Sequence, residues 1–562
     1  MSKIVHGFFR QSPKQKKPPI KKGWLFLSLF IFYSLSFVHY FAMTTQLDHF
    51  LAECQKADVV PVTQQLLADL HTPVSLLQRF YNGQEGVFLL ESVEGGEKWG
   101  RYSFLGITPH AFIEVHRNNL SVTEYNESGN IVAENVIPHH GKPLQILRQL
   151  MTQYRAAEHV DLPRFFGGLV GYFAYEMVEF FENIPNQLDN EPFASFVIPR
   201  TMLIFDNARQ TLTICVLTFP HQTVSNQTVS NQTESHQTSS KQTSSNQSSD
   251  ADLRKLYENA VAETERIAAE LEKPMPMPQP KHTGKLKLKP VLPEEEYYRR
   301  VDMIKEHIAA GDLIQCVFSQ QFVSENAPDA VSLYRALRFS NPAPYLFFMH
   351  LSGSVLAGSS PETMIRLEGR TATLRPIAGT RKRGETEQRD RELADEMLRD
   401  PKEKAEHLML VDLGRNDLGR IAKTGTVQVT DLMFIERHPH VMHLVSNVTA
   451  QLEDGSDGFD LFEATFPAGT LSGAPKVRAM QIIAEQEETP RGVYGGAAGY
   501  ISFGGNIDFA ITIRTAQIRN GKLTAQSGGG IVYDSVPELE RKETVNKAMG
   551  IARAVEILTL TH

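Results

Sequence analysis

Val493-Tyr-Gly-Gly-Ala-Ala-Gly-Tyr-Ile-Ser-Phe-Gly-Gly-Asn506-Ile-Asp-Phe-Ala-Ile-Thr-Ile-Arg514-Thr-Ala-Gln-Ile-Arg-Asn520-Gly-Lys-Leu-Thr-Ala-Gln-Ser-Gly528-Gly-Gly530 is the stretch that decides the fold class. It predicts a meander: strand 493–503, a turn at Gly504-Gly505-Asn506, strand 508–518, a turn at Asn520-Gly521, and a third strand running to Gly528. Period-two alternation puts Ala510, Thr512 and Arg514 on one face and Phe509, Ile511 and Ile513 on the other, so Arg514 leaves the apolar layer and can meet an anion. Residues 86–218 are strand-rich too, with the pair Met202-Leu-Ile-Phe205 and Thr211-Leu-Thr-Ile-Cys-Val216 folding back around Asp206-Asn207. Helices and strands then mix without strict β-α alternation, which argues against a Rossmann or barrel arrangement and for an α+β protein built on antiparallel sheet.

With 562 residues, 41% hydrophobic and 22% charged, the chain has the composition of an enzyme large enough for two domains. Seven bases, Lys3, Arg10, Lys14, Lys16, Lys17, Lys21 and Lys22, lie in a leading segment without an acid, leaving 50 of the 57 bases against 65 acids. Such a body repels nucleic acid, and no basic patch or RNA-binding motif offsets that. Cys54, Cys215 and Cys316 are far apart and form no C-x-x-C, which suits a reducing compartment. In the leader 1–42, the mostly apolar run Trp24 to Ala42 reads alone as a signal peptide or membrane anchor. Cysteine usage and the enzyme-like sequence after Met43 favour Met43 as the start and a cytoplasmic location. Four further segments follow. They are an N-terminal region at 43–221, a pentapeptide-repeat insertion at 222–250 with too little apolar surface to fold, a helix and linker at 251–290, and a catalytic region at 291–562.

Asp400-Pro401 predicts a capped helix that lines Glu403, Glu406 and Leu410 along one face. Ser535-Val-Pro-Glu538 reads as a capping box, and Glu540 and Glu543 share the face of the helix behind it. One E-x-x-E is most often a solvated face, but four carboxylates in two pairs suit a hard divalent cation, Mg2+ above all. Gly528-Gly529-Gly530 is either a flexible turn or an approach for an anion to backbone N–H groups. Gly469-Thr470-Leu-Ser-Gly-Ala-Pro475 leads into a helix at 475–486, another anion position, and its spacing fits no P-loop. His443, among apolar residues, reads alone as a core histidine.

PIAGT at 376–380, EHLMLVDLGRNDL at 406–418, VMHLVS at 441–446, AGTLSGAPK at 468–476, YGG at 494–496, TIRTA at 512–516 and SGGGIV at 527–532 together resemble the chorismate-utilising enzymes. Among these, the chain is most similar to the large component of the anthranilate synthases, from about Thr45 onward apart from the insertion. The resemblance implies a sandwich of antiparallel sheets with helices outside. It implies Glu406 and Glu543 as Mg2+ ligands, with Glu403 and Glu540 beside them acting through water. It also implies Gly379, Thr380, Tyr494, Arg514, Gly528, Gly529 and Gly530 as contacts to chorismate, Thr470 beside the ring, and His443 as the catalytic histidine in loss of the enolpyruvyl group.

Two positions discriminate within the family. Isochorismate and salicylate synthases carry a lysine where Gln315 stands, and aminodeoxychorismate synthases usually carry one in place of Ala378. Gln315 and Ala378 together imply that ammonia attacks C2, followed by pyruvate elimination to anthranilate. None of the cysteines has the setting of a glutaminase nucleophile, so a separate glutamine amidotransferase subunit and a hetero-oligomer are implied. Leu89-Leu-Glu-Ser92 and Asn341-Pro-Ala-Pro344-Tyr345-Leu346 resemble the family's feedback motifs, implying inhibition by L-tryptophan through Ser92, Pro344, Tyr345 and Leu346. The rivals are an aminodeoxychorismate synthase and, from another class, a membrane-tethered regulatory binding protein.

Overall fold

The computed structural model describes residues 47–92, 100–159, 161–185, 188, 191–221, 249–275, 286–438 and 441–560. The leader, the start at Met43, the pentapeptide insertion and most of the proline-rich linker lie outside them. No helix among the described residues is long and apolar enough to cross a membrane.

Two antiparallel ladders form the body. One runs from Val60–Leu67 through Thr211–Thr218, the second half of Ala194–Asp206, the first half of Tyr102–Val115, Phe88–Glu91, Tyr345–Leu351, Ser354–Ser360, Thr515–Arg519 and Lys522–Ile531 to Gln315–Ser324. The other runs from Ile131–Pro138 through Asn119–Tyr125, the remaining halves of the two long strands, Gly168–Phe173, Ala497–Ser502, Ile507–Ile511, Thr363–Glu368 and Thr371–Leu374 to Val441–Gln451, which also pairs Ile377–Lys382 and Gln428–Arg437. Tyr102–Val115 and Ala194–Asp206 serve both ladders because their pairing shifts between Gly106 and Ala111, where a bulge re-aims the strands.

Both faces of the first ladder are covered, which is why Tyr345-Leu-Phe-Phe-Met-His-Leu351 is a nearly unbroken apolar run. Phe347, Met349 and Leu351 point into the core shared with Phe173, Phe196 and Phe509 of the other ladder. Leu346 and Phe348 point the other way, under the helices Pro73–Phe80, Ala330–Ser340 and Pro537–Leu560. Outside the second ladder, Ala394 and Met397 of the helix Glu387–Arg399 pack on Met442 and Leu444. The fold is the α+β sandwich with outer helices that the resemblance implied.

Two local readings are corrected. The meander is two hairpins in different ladders: Ala497–Ser502 pairs with Ile507–Ile511, and Thr515–Arg519 pairs with Lys522–Ile531. The chain crosses between them at Thr512–Arg514, where Arg514 takes a left-handed φ of 49°. The predicted strand 508–518 is therefore broken, and face alternation does not aim Arg514; the break does. Gly528-Gly529-Gly530, open between turn and ligand approach, lies inside the strand Lys522–Ile531.

Candidate functional site

The candidate site gathers around the sheet-switching residue. Arg514 opens to solvent, yet the protein crowded around it strips enough water to lower its guanidinium pKa, and Glu362 partly offsets this. Glu362 follows Pro361 at the start of the adjoining strand and is buried. Its carboxyl accepts the Thr470 hydroxyl at 3.0 Å. Burial pushes its pKa up to about 8, against the pull of Thr470 and Arg514, so it carries a proton at neutral pH.

His443 lies opposite Thr380 across the ladder and is buried. Its Nδ1 stands 3.1 Å from the Gly379 carbonyl and 3.1 Å from the Thr380 hydroxyl. A carbonyl only accepts, so Nδ1 carries the hydrogen and Nε2 keeps its lone pair. Burial lowers the pKa to about 4, with Arg514 and His438 adding to the effect, and the ring is a neutral base. Gly379 has φ 65°, and a Cβ there would meet Glu403 Oε2 at 2.6 Å, so turn and crowding both require glycine.

The helix Pro401–Gly419 begins as its sequence predicts, with the Asp400 carboxylate accepting from the N–H groups of Lys402 and Glu403 at 2.9 and 3.3 Å. Glu403 is held by Arg381 at 2.8 Å. Glu406, one turn on, makes no hydrogen bond or ion pair with a described residue; burial raises its pKa, and Glu403 and Glu543 repel its charge. From the second helix, Glu543 pairs with Lys547 at 2.8 Å and Glu540 accepts the Ser535 hydroxyl at 2.8 Å. The predicted capping box is thereby overturned. The Ser535 hydroxyl goes to Glu540, and Leu539 and Glu540 donate to the Val536 carbonyl. Among the described residues no three His, Cys, Asp or Glu side chains converge as a ready metal cage. Glu406 and Glu543 could hold a cation: Glu406 is half-buried beside two other carboxylates and unpaired among the described residues, while Glu543 already pairs with Lys547.

The three glycines lie at close approaches. A Cβ at Gly528 would come within 2.9 Å of the Tyr494 hydroxyl, one at Gly530 within 2.2 Å of Gln315 Nε2, and one at Gly529 within 3.2 Å of Glu540 Oε2. Lys547 also donates to the Gly528 carbonyl at 2.8 Å. Gln315 is buried with its Nε2 against Gly530, and its Oε1 has no hydrogen-bond partner.

The family model of a chorismate binding enzyme matches residues 109–553. The chain belongs to the chorismate-binding enzymes. Anthranilate synthase component 1 of Aquifex aeolicus is 42% identical over 504 residues, covering 89% of this chain and 95% of that one. Its counterpart in Acetivibrio thermocellus is 40% identical over 513 residues, covering 91% and 98%. Among solved structures, anthranilate synthase component I of Streptococcus pneumoniae superposes with a TM-score of 0.65 at 31% identity, covering 87% and 99%. A menaquinone-specific isochorismate synthase from Escherichia coli superposes at 0.62 with 20% identity, a likeness of fold.

In this chorismate-binding enzyme the residues Gly379, Thr380, His443, Thr470, Arg514 and Gly528 come from five separate segments. Ser92, Pro344, Tyr345 and Leu346 do not join them; they line a separate cavity of about 600 Å3. There the Tyr345 hydroxyl donates to Asp508 at 2.8 Å, and Arg366 stands 3.7 Å from the same carboxylate. Sequence reasoning passed over Glu362. Its only signal was a lone acid after Ser359-Ser-Pro361, just before the strand Thr363–Glu368.

Proposed function

We infer that this chain is the large component of an anthranilate synthase, converting chorismate and ammonia to anthranilate, pyruvate and water as the first committed step toward tryptophan. One observation carries the reading: a protonated Glu362, held by Thr470, and a neutral His443 with a free Nε2 share a cleft with Arg514. No lysine stands at 315 or 378 to recruit water or form an adduct.

Chorismate carries two carboxylates. Arg514, Tyr494 and the backbone of Gly528–Gly530 are suited to the enolpyruvyl carboxylate. The ring carboxylate would face Glu406 and Glu543, and Mg2+ held there would neutralise it and help withdraw electron density from the ring. Ammonia adds its lone pair at C2, the ring π electrons shift, and the C4 hydroxyl departs. Glu362 supplies that hydroxyl with its proton, so water leaves in place of hydroxide, and the ammonium formed at C2 sheds one proton to become the amine, restoring the proton count. In the second step His443 Nε2 takes the C2 proton, the C2–H electrons form the aromatic ring, and the C3–O bond breaks to release enolpyruvate, which picks up a proton as pyruvate. The Gly379 carbonyl holds the imidazole tautomer for this transfer.

All three cysteines are free and buried, and burial pushes each thiol up to about 12, so none offers the thiolate a glutaminase needs. A glutamine amidotransferase partner is therefore the source of ammonia, and buried free thiols suit a cytoplasmic enzyme. The cavity around Ser92, Pro344, Tyr345 and Leu346 joins apolar strand residues with Asp508, Arg366 and Glu91, a lining suited to an aromatic amino acid, and we assign it to L-tryptophan as inhibitor. The deciding experiment incubates the chain with chorismate, Mg2+ and ammonium and identifies the product. Anthranilate supports the reading; 4-amino-4-deoxychorismate or isochorismate refutes it.

A further inference from the structure

Among the described arginines burial lowers the pKa of two, Arg514 and Arg200. Arg514 faces the cleft. Arg200 lies on the strand Ala194–Asp206, far from it in the chain, and forms no ion pair with a described carboxylate. One terminal nitrogen donates to the Tyr125 carbonyl at 2.7 Å and lies 2.9 Å from His110 Nδ1. The guanidinium lies 5.5 Å over the Phe219 ring, and its Nε is buried with no hydrogen-bond partner.

Beside it lies a cavity of about 280 Å3, whose lining includes Thr108, Thr201, Asn259, Glu263 and Arg266. The acids nearby are already engaged. Glu263 is held by Arg266 at 2.6 and 2.8 Å, and the exposed Glu127 accepts from Asn259 at 2.8 Å. Glu127 also lines the cavity and draws on Arg200 through space without an ion pair, so the desolvated guanidinium keeps an orphan N–H next to threonine hydroxyls. That is the donor set of an oxyanion pocket. The cavity is framed by Thr211–Thr218 and Asp250–Leu271, the two elements that flank the pentapeptide insertion in sequence.

We propose that this cavity binds a small oxyanion, a carboxylate or phosphate group, on Arg200, at a site distinct from the catalytic cleft. The proposal does not depend on which chorismate reaction the cleft performs.

Equilibrium dialysis of the full chain against radiolabelled inorganic phosphate, without divalent cation, tests it. The expected result is phosphate binding that survives Arg514→Gln and falls at least about tenfold in Arg200→Gln, with part of the loss restored by Arg200→Lys. Ala262→Glu, at an exposed helical position on the rim, adds a negative charge without touching Arg200 and is expected to weaken binding as well; it decides the matter if Arg200→Gln fails to fold. Displacement by equimolar acetate assigns the site to carboxylates, and resistance to acetate assigns it to phosphoryl groups. The proposal is overturned if neither phosphate nor acetate binds, if binding vanishes with Arg514→Gln, or if it is unchanged in both Arg200→Gln and Ala262→Glu.

Discussion

In the candidate site, Glu406 and Glu540 are pushed up by burial and by neighbouring carboxylates, and Glu406 has no donor among the described residues. Around Tyr345 burial raises Glu91 and Asp508 as well, but each has a hydrogen-bond partner: Glu91 accepts from Tyr334 at 2.5 Å and from Arg338 at 3.1 Å, and Asp508 accepts from Tyr345. The first hollow is short of positive charge, which suits the cation proposed for it. The second has its buried acids bound to donors of the protein, which leaves shape and apolar area to discriminate among ligands. A bound diacid would change the electrostatics of the cleft, whereas a ligand of the cavity would mainly fill space between strands.

The sharpest way to break this contrast is Glu362→Gln, which keeps the shape and removes the proton donor. Anthranilate formation with ammonium is expected to fall by roughly 10^2–10^4; a smaller drop in steady-state kcat would remove Glu362 from the chemistry. Next, Glu406→Gln is expected to cost about 10^2–10^3 in kcat/KM and to flatten the dependence on Mg2+ concentration; retention of a normal Mg2+ titration would show that the unpaired carboxylate is not the ligand. In the cavity, Ser92→Phe fills space rather than altering charge. It is expected to raise the tryptophan concentration for half-inhibition by at least about tenfold, as read from inhibition curves.

Glu362 also separates activity from stability through pH. Its folded pKa of about 8 lies above the ordinary 4.5, so between those values the native state keeps a proton the unfolded chain has lost. Its contribution to stability is complete below about 4.5 and declines as pH rises to about 8. Glu362→Gln is accordingly expected to unfold at higher denaturant than the parent, by roughly 2–4 kcal/mol at pH 8 and by much less at pH 5. In the parent enzyme kcat/KM is expected to drop as pH passes about 8. The smallest effect belongs to His407. It is fully buried with Nε2 2.6 Å from the Ser446 hydroxyl and a pKa lowered to about 4 by burial. Ser446→Ala is expected to cost about 1–2 kcal/mol of stability while leaving catalysis in place.

What the sequence disclosed follows from where local signals suffice. The glutamate helix was legible because Asp400 and Pro401 announce its first turn and a 3.6-residue period does the rest. The motifs around His443, Thr470 and Gly528 were legible as a set, and the structure places His443 near Arg514 and Thr470 on Glu362, which Arg514 also faces. The sheet switch at Arg514 was hidden, because an arginine gives no hint of a left-handed backbone and the flanking residues alternate as an unbroken strand would. Gly528–Gly530 could be read as a turn because glycine marks turns and close approaches alike; only the neighbours Phe318, Gln315 and Tyr494 distinguish the two. Ser535 was misread because a distant-seeming acceptor, Glu540, outcompeted the local cap. Glu362 was missed because a single acid after a proline carries no period.

Gly168–Phe173 lies between Ala194–Asp206 and Ala497–Ser502, and Glu176 just beyond it accepts the N–H groups of Arg491 and Gly492 at 2.6 and 3.0 Å. The early part of the chain thus completes the sheet edge of the late part and anchors the loop that presents Tyr494. Halves taken from two relatives would have to match along that seam, so hybrids joined in the linker should fail even when each parent is active. Fragments cut at the same place should find each other again, each serving as the template on which the other folds.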